Sequence, residues 1–131
     1  IVTDTAQIRK NLEYYIAKVP VKKTPAMSKS VYSVLYARLG KAEQALHYFY
    51  DSYLPNLNPP FRVIAEFNGG TNPYFITGAG GTLQAIIFGF AGLEITDKGL
   101  KQVYTPILPK EWSSLTIRVA GKEIVHVNKN E

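Results

Sequence analysis

Apolar residues recur at helical spacing through the first half of the chain and alternate in its last third. Between residues 4 and 17, Ile8, Leu12, Tyr15 and Ile16 fall on one face of a helix. Asp4 and Gln7 have the spacing of a capping box, and Pro20 stops the run. A loop with two prolines follows over residues 19–25. Ser28 is a natural N-cap for a second helix, with Val31, Leu35 and Leu39 as its stripe and Gly40 just past its end. A third helix runs from Lys41 to Tyr53, with Ala42, Ala45, Leu46, Phe49 and Tyr53 facing inward and Pro55 ending it. So short a link between the second and third helices predicts an antiparallel hairpin.

Residues Phe61 to Phe67 are apolar and short, and read as extended. Two glycine-rich turns follow, Asn68 to Pro73 and Thr77 to Gly81. A fourth helix is expected from Gly80 to Phe90, apolar on nearly every side. Such a helix is normally buried all round, so a larger body, or a second copy of the chain, is expected to cover it. After Gly92 the period changes. Leu93–Thr96 and Leu100–Tyr104 flank Asp97-Lys98-Gly99, a three-residue hairpin signal. Leu115, Ile117 and Val119 alternate, and Ala120-Gly121 turns the chain into Glu123–Val127. Helices first and strands last predict an α+β fold of four helices and two hairpins.

Composition narrows this reading. With 131 residues and 46% hydrophobic content the chain can build a core. No charge-free run approaches the ~18 apolar residues of a membrane span. The chain opens on Ile1 without a signal-type segment, which suggests a piece of a longer protein. With no cysteine, disulfides and thiolate sites are excluded. The net charge of +5 is spread out, and the only adjacent lysines are Lys22 and Lys23, so no nucleic-acid partner is expected. His47 and His126 have no partners at metal-ligand or triad spacing. They read as surface or packing residues, and neither a metal nor a cofactor is expected.

Candidate chemistry centres on Glu66. Ile64, Ala65 and Phe67 flank it, and the glycine-rich segments follow. It reads either as a surface glutamate at a strand end or as a partly desolvated carboxylate beside a pocket. Thr77, Gly78, Gly80 and Gly81 offer backbone N–H groups at a helix start, a site for an anion or hydroxyl. The same glycines suit a tight turn that brings a buried helix against its neighbour. Asp51, Glu94 and Asp97 read as solvated. Trp112 and the tyrosines suit either sugar stacking or a core.

The segment TGAGGTLQAIIFGFAGLEIT, with the later turn PKEWSSL, resembles the C-terminal end of glycoside hydrolase family 65. The likeness extends upstream to Thr24–Ser28 and Ala37–Gly40. That family contains inverting α-glucoside hydrolases and phosphorylases built on a toroid of six helical hairpins followed by a small β-domain. The resemblance implies that residues 1–92 are the last hairpins of the toroid and that residues 93–131 belong to the β-domain. It implies that Glu66 is the general base and that the general acid lies upstream, outside this chain. The phosphorylase branch carries a histidine before the corresponding glycines. Here Asn72 to Ile76 contain none, which favours hydrolysis. The implied partners are an α-glucoside or oligosaccharide and the upstream remainder of a parent chain, and the isolated chain is expected to be inactive. A phosphorylase fragment, a non-catalytic carbohydrate-binding module and a basic interaction domain are the competing readings.

Overall fold

The computed structural model describes residues 4–20, 23–72, 74–119 and 121–128. Four helices lead: α1 (Thr5–Lys18), α2 (Ala26–Arg38), α3 (Ala42–Tyr53) and α4 (Ile76–Gln84). Between α3 and α4 lies a minimal antiparallel pair, β1 (Leu57–Asn58) and β2 (Val63–Ile64). Two hairpins close the chain, β3 (Leu93–Thr96) with β4 (Gly99–Gln102), and β5 (Ser114–Val119) with β6 (Lys122–Val127). The described residues thus form an α+β arrangement with three two-stranded sheets. No described helix is long and apolar enough to cross a membrane.

The Asp4 carboxylate caps α1 by accepting the Ala6 N–H at 2.9 Å. Gln7 does not complete the expected box. Its amide donates to Asn11 along the helix instead. Leu12 is the buried residue of α1, whereas Tyr15, expected on the same inward face, is exposed. The N-cap of α2 is Pro25 rather than Ser28, which lies inside the helix. The expected loop over residues 19–25 includes residues 21 and 22, which lie outside the described residues, as do Pro73 and Ala120 of the expected turns.

The stripe predicted for α2 is also displaced. Val31 is exposed, and the buried positions are Ala26, Lys29, Ser30, Ser33 and Ala37. The reason is crowding: α2 packs against both α3 and α4. Small residues allow that approach, and their hydroxyls are satisfied by backbone. Ser30 donates to Ala26 O at 3.1 Å and Ser33 to Ala45 O at 2.8 Å. Helix α4 and the Ala85–Phe90 turn that continues it meet α2 through glycines: a Cβ on Gly81 would stand 3.0 Å from Ser30 Oγ, and one on Gly89 would stand 3.2 Å from Val34 Cα. Lys29 is buried against Asp51 of α3 at 3.4 Å, so Asp51 is paired rather than simply solvated.

Helix α4 starts at Ile76, four residues before the predicted start at Gly80, and Thr77–Gly81 are helical rather than a turn. Its continuation, Ala85–Phe90, widens into a π-helical turn, and the Ala91 N–H reaches Ile86 O at 2.9 Å. Gly78, Gly81, Ala85, Gly89 and Phe90 are buried, but Ile76 and Leu83 are 82% and 59% exposed. The described residues therefore leave part of this apolar helix uncovered.

One core cluster joins Ala37, Ala45, Leu46, Phe49, Ala85 and Phe90, with Trp112 packed against it. The Trp112 ring lies 4.7 Å from Phe90 and 5.7 Å from Phe49, centroid to centroid. A second cluster holds Ala91, Leu93 and Ile117. Ile86 and Leu115 touch both clusters, so helical and β segments share packing. Arg38 adds a polar link: Nε donates to Phe88 O at 3.3 Å, the guanidinium pairs with Glu94 at 3.6 Å, and it lies 4.4 Å from the Tyr104 ring centre.

Candidate active site

Glu66 stands two residues past the end of β2, and three backbone hydrogen bonds place its segment. The Ala65 N–H donates to Asn56 O at 2.8 Å, Ala26 N–H to Glu66 O at 2.7 Å, and Phe75 N–H to Ile64 O at 2.9 Å. The segment is thereby tied to the short helical turn Leu54–Asn56 that follows α3, to the start of α2 and to the start of α4. Ala65 is fully buried, Glu66 is half-buried, and Phe67 is exposed. The short apolar run was expected to be extended over Phe61–Phe67. Only Val63–Ile64 is strand, and Phe61 stands in solvent.

Glu66 borders an open depression of about 350 Å³ together with Lys23, Pro25 and Phe67. It supplies a carboxylate, an ammonium group and two apolar faces. No second carboxylate lines it among the described residues. Among the described residues, one side chain donates to the Glu66 carboxylate. Asn72 Nδ2 donates to Oε2 at 3.3 Å, and Asn72 Oδ1 accepts the Glu66 N–H at 3.5 Å. The sequence named Asn72 only as part of a turn. Nothing in its spacing from Glu66 announces the contact, because a loop brings the two together.

The helix-start residues divide into two pairs. A Cβ on Gly78 would lie 2.9 Å from Ala26 Cβ, and one on Gly81 would lie 3.0 Å from Ser30 Oγ. These two glycines are packing positions against α2. A Cβ on Gly80 meets nothing within 4 Å, and Thr77 is exposed. The N-cap of α4, Phe75, gives no side-chain cap. Thr77 and Gly80 are thus the members of the set that face outward. None of the four lines the depression at Glu66.

Other chemistry lies elsewhere. His126 in β6 has its imidazolium form disfavoured by burial, so its pKa falls below the ordinary 6.5. Burial raises Tyr36, Tyr48 and Tyr53 above the usual phenol value. Among the described residues no three His, Asp or Glu side chains gather in a way that could hold a metal ion.

The chain is 53% identical over 122 residues to a kojibiose hydrolase from Mucilaginibacter mallensis, across 93% of this chain. The chain belongs to glycoside hydrolase family 65. A kojibiose hydrolase from Flavobacterium johnsoniae is 56% identical to this family 65 chain over 124 residues, or 94% of it. The α,α-trehalose phosphorylase of Geobacillus stearothermophilus is 31% identical over 124 residues, or 92% of it. The chain spans 18% of the length of each kojibiose hydrolase and 15% of the phosphorylase. It corresponds to the C-terminal part of these relatives. No family model matches it.

Proposed function

We propose that this chain is the C-terminal part of an inverting glycosidase acting on α-glucosides, with Glu66 as its general base. The observation that carries the reading is a half-buried glutamate, fixed by three helices, at an open depression in a chain more than half identical to two kojibiose hydrolases. On this reading the substrate is an α-glucosidic disaccharide, kojibiose among the candidates.

Glu66 takes a proton from water as that water attacks the anomeric carbon opposite the leaving group. A general acid supplied by the longer protein protonates the departing oxygen. In inverting enzymes the two carboxyls stand roughly 6.5–9.5 Å apart, leaving room for the water. Phe67 presents an apolar face beside Glu66 for a sugar ring. Thr77 and Gly80 offer polar contacts at the start of α4, with Gly78 and Gly81 letting that helix sit close to α2. Residues 1–92 form the last hairpins of a helical toroid and residues 93–131 part of a small β-domain. The exposed apolar residues Met27, Val31, Ile76 and Leu83 then meet the upstream hairpins. Alone, the chain lacks the acid and most of the sugar pocket and has no turnover.

The carbohydrate-binding-module reading loses its main anchor, since Trp112 packs into the aromatic core with Phe49 and Phe90. The test is turnover by the intact parent protein on α-linked glucose disaccharides, with and without phosphate, followed by NMR. Release of β-glucose without phosphate supports the proposal. A strict phosphate requirement with a sugar phosphate as product points to the phosphorylase branch. Retained configuration, or no turnover on any α-glucoside, overturns it.

A further inference from the structure

Asn72 bridges the backbone and the side chain of the same glutamate. Its Oδ1 accepts the Glu66 N–H at 3.5 Å, and its Nδ2 donates to Glu66 Oε2 at 3.3 Å. A two-point contact of this kind restrains the side-chain torsions of Glu66 through a link to its own backbone. It also divides the two carboxylate oxygens. Oε2 has a donor already, and among the described residues no side chain donates to Oε1, leaving it the freer acceptor for a proton.

The loop is shaped around this bridge. Gly70 lies so close that a Cβ there would stand 3.1 Å from Asn72 Oδ1, 3.0 Å from Phe67 O and 3.4 Å from Ala65 Cβ. The Gly70 carbonyl is held in turn by Asn58 Nδ2 at 2.8 Å, and its N–H donates to Phe67 O at 2.9 Å. Asn58 sits in β1, opposite Val63 of β2. The small hairpin that delivers Glu66 therefore also anchors the loop that delivers Asn72. That provides a structural reason for a two-stranded sheet with only two residues per strand.

We infer that Asn72 is a positioning residue for Glu66, holding Oε2 so that Oε1 alone meets the attacking water. The inference rests on Glu66 being the base. A carboxylate free to rotate would spend much of its time misdirected, and misplacement on the order of 1 Å can cost about a hundredfold in rate. Asn72 is exposed and lies in a loop, so its replacement leaves the folded core intact.

The experiment uses the intact parent protein and compares Asn72→Ala, Glu66→Gln and the double variant on one α-glucoside. Asn72→Ala is expected to lower kcat about ten- to a hundredfold with KM within about twofold of the parent. In the Glu66→Gln background, Asn72→Ala should cause no further loss, because the group it positions is no longer a base. A purely structural role would instead lower the melting temperature and reduce activity by the same factor in both backgrounds. Gly70→Ala is a second probe, since it crowds Asn72 without removing its amide, and it should reproduce the kcat loss. If Glu66→Gln abolishes turnover while Asn72→Ala and Gly70→Ala leave kcat unchanged, the positioning role is wrong and the base assignment stands. If Glu66→Gln itself retains normal kcat, the base assignment fails, and this role fails with it.

Discussion

Gly78 of α4 sits directly against Ala26, the first residue of α2, and a Cβ on Gly78 would stand 2.9 Å from Ala26 Cβ. Ala26 is also the residue whose N–H donates to Glu66 O at 2.7 Å. Two helix starts and the candidate base thus meet at one point, and the meeting depends on a hydrogen atom where any other residue would carry a Cβ.

The glycines of α4 therefore should not respond alike to alanine. Gly78→Ala places a methyl group 2.9 Å from both Ala26 Cβ and Phe75 Cδ1, so it is expected to destabilise the fold by about 1–3 kcal/mol, as overpacking does. Gly80→Ala meets nothing within 4 Å and gains helix propensity, so it should stabilise by about 0.5–1 kcal/mol. Thermal or urea unfolding of the two variants checks the pair. Equal effects would mean that α4 does not rest on α2 through these glycines.

Arg38 is expected to hold the β segments to the helices. It reaches Phe88 O, Glu94 and the Tyr104 ring from α2. Arg38→Ala should cost about 2 kcal/mol, roughly one charged hydrogen bond plus part of a cation–π contact. Arg38→Lys should recover only part of it, since an ammonium group cannot reproduce the planar fork. Hydrogen exchange would locate the loss: amides of β3 and β4 should lose more protection than those of α3. Uniform loss would argue that Arg38 is not the link.

His126 gives a pH dependence. Burial lowers its pKa in the folded state below 6.5. The unfolded chain then binds more protons than the folded one between the two pKa values, so stability rises with pH across that interval. The contribution is complete above about pH 6.5 and is lost as pH falls toward the lowered folded value. His126→Gln should flatten this part of the stability curve. Urea titrations between pH 4.5 and 7.5 read it directly. An unchanged slope in the variant would show that His126 titrates the same way folded and unfolded.

Much of the fold was legible because periodicity reports burial. The α3 stripe of Ala45, Leu46 and Phe49 is buried as expected, and the second C-terminal hairpin forms where alternation placed it. The first forms about a shorter turn than the expected three residues, because Gly99 pairs with Thr96 in the ladder and leaves Asp97 and Lys98 as the loop, and its second strand stops at Gln102. The reading failed where burial is achieved without apolar bulk. The buried face of α2 consists of alanines, serines and a lysine, because three helices crowd there and the lysine finds Asp51. The start of α4 was set too late because glycines were read as turn formers, whereas two of them serve close helix packing. Glu66 could be singled out by its apolar flanks. The bridge to Asn72 could not, since loop closure carries no periodic signal.

The decisive prediction concerns Glu66 in the intact parent. Glu66→Gln keeps the size of the side chain and a carbonyl oxygen for the Asn72 Nδ2 donor, yet cannot take a proton from water. Loss of a general base typically costs about 10²–10⁴-fold, so kcat should fall by about that factor while KM changes little. Azide attacks without needing deprotonation, so it should restore part of the turnover, and inversion requires the product to be the β-glucosyl azide. Product configuration by NMR separates this from any background reaction. A glutamate with only a surface role would behave otherwise. Its change to glutamine would alter stability by about 0.5 kcal/mol or less and leave kcat unaltered. Near-normal kcat in Glu66→Gln, or an α-configured azide product, would remove Glu66 from the reaction and leave the outward-facing start of α4, Thr77 and Gly80, as the remaining candidate contact in this chain.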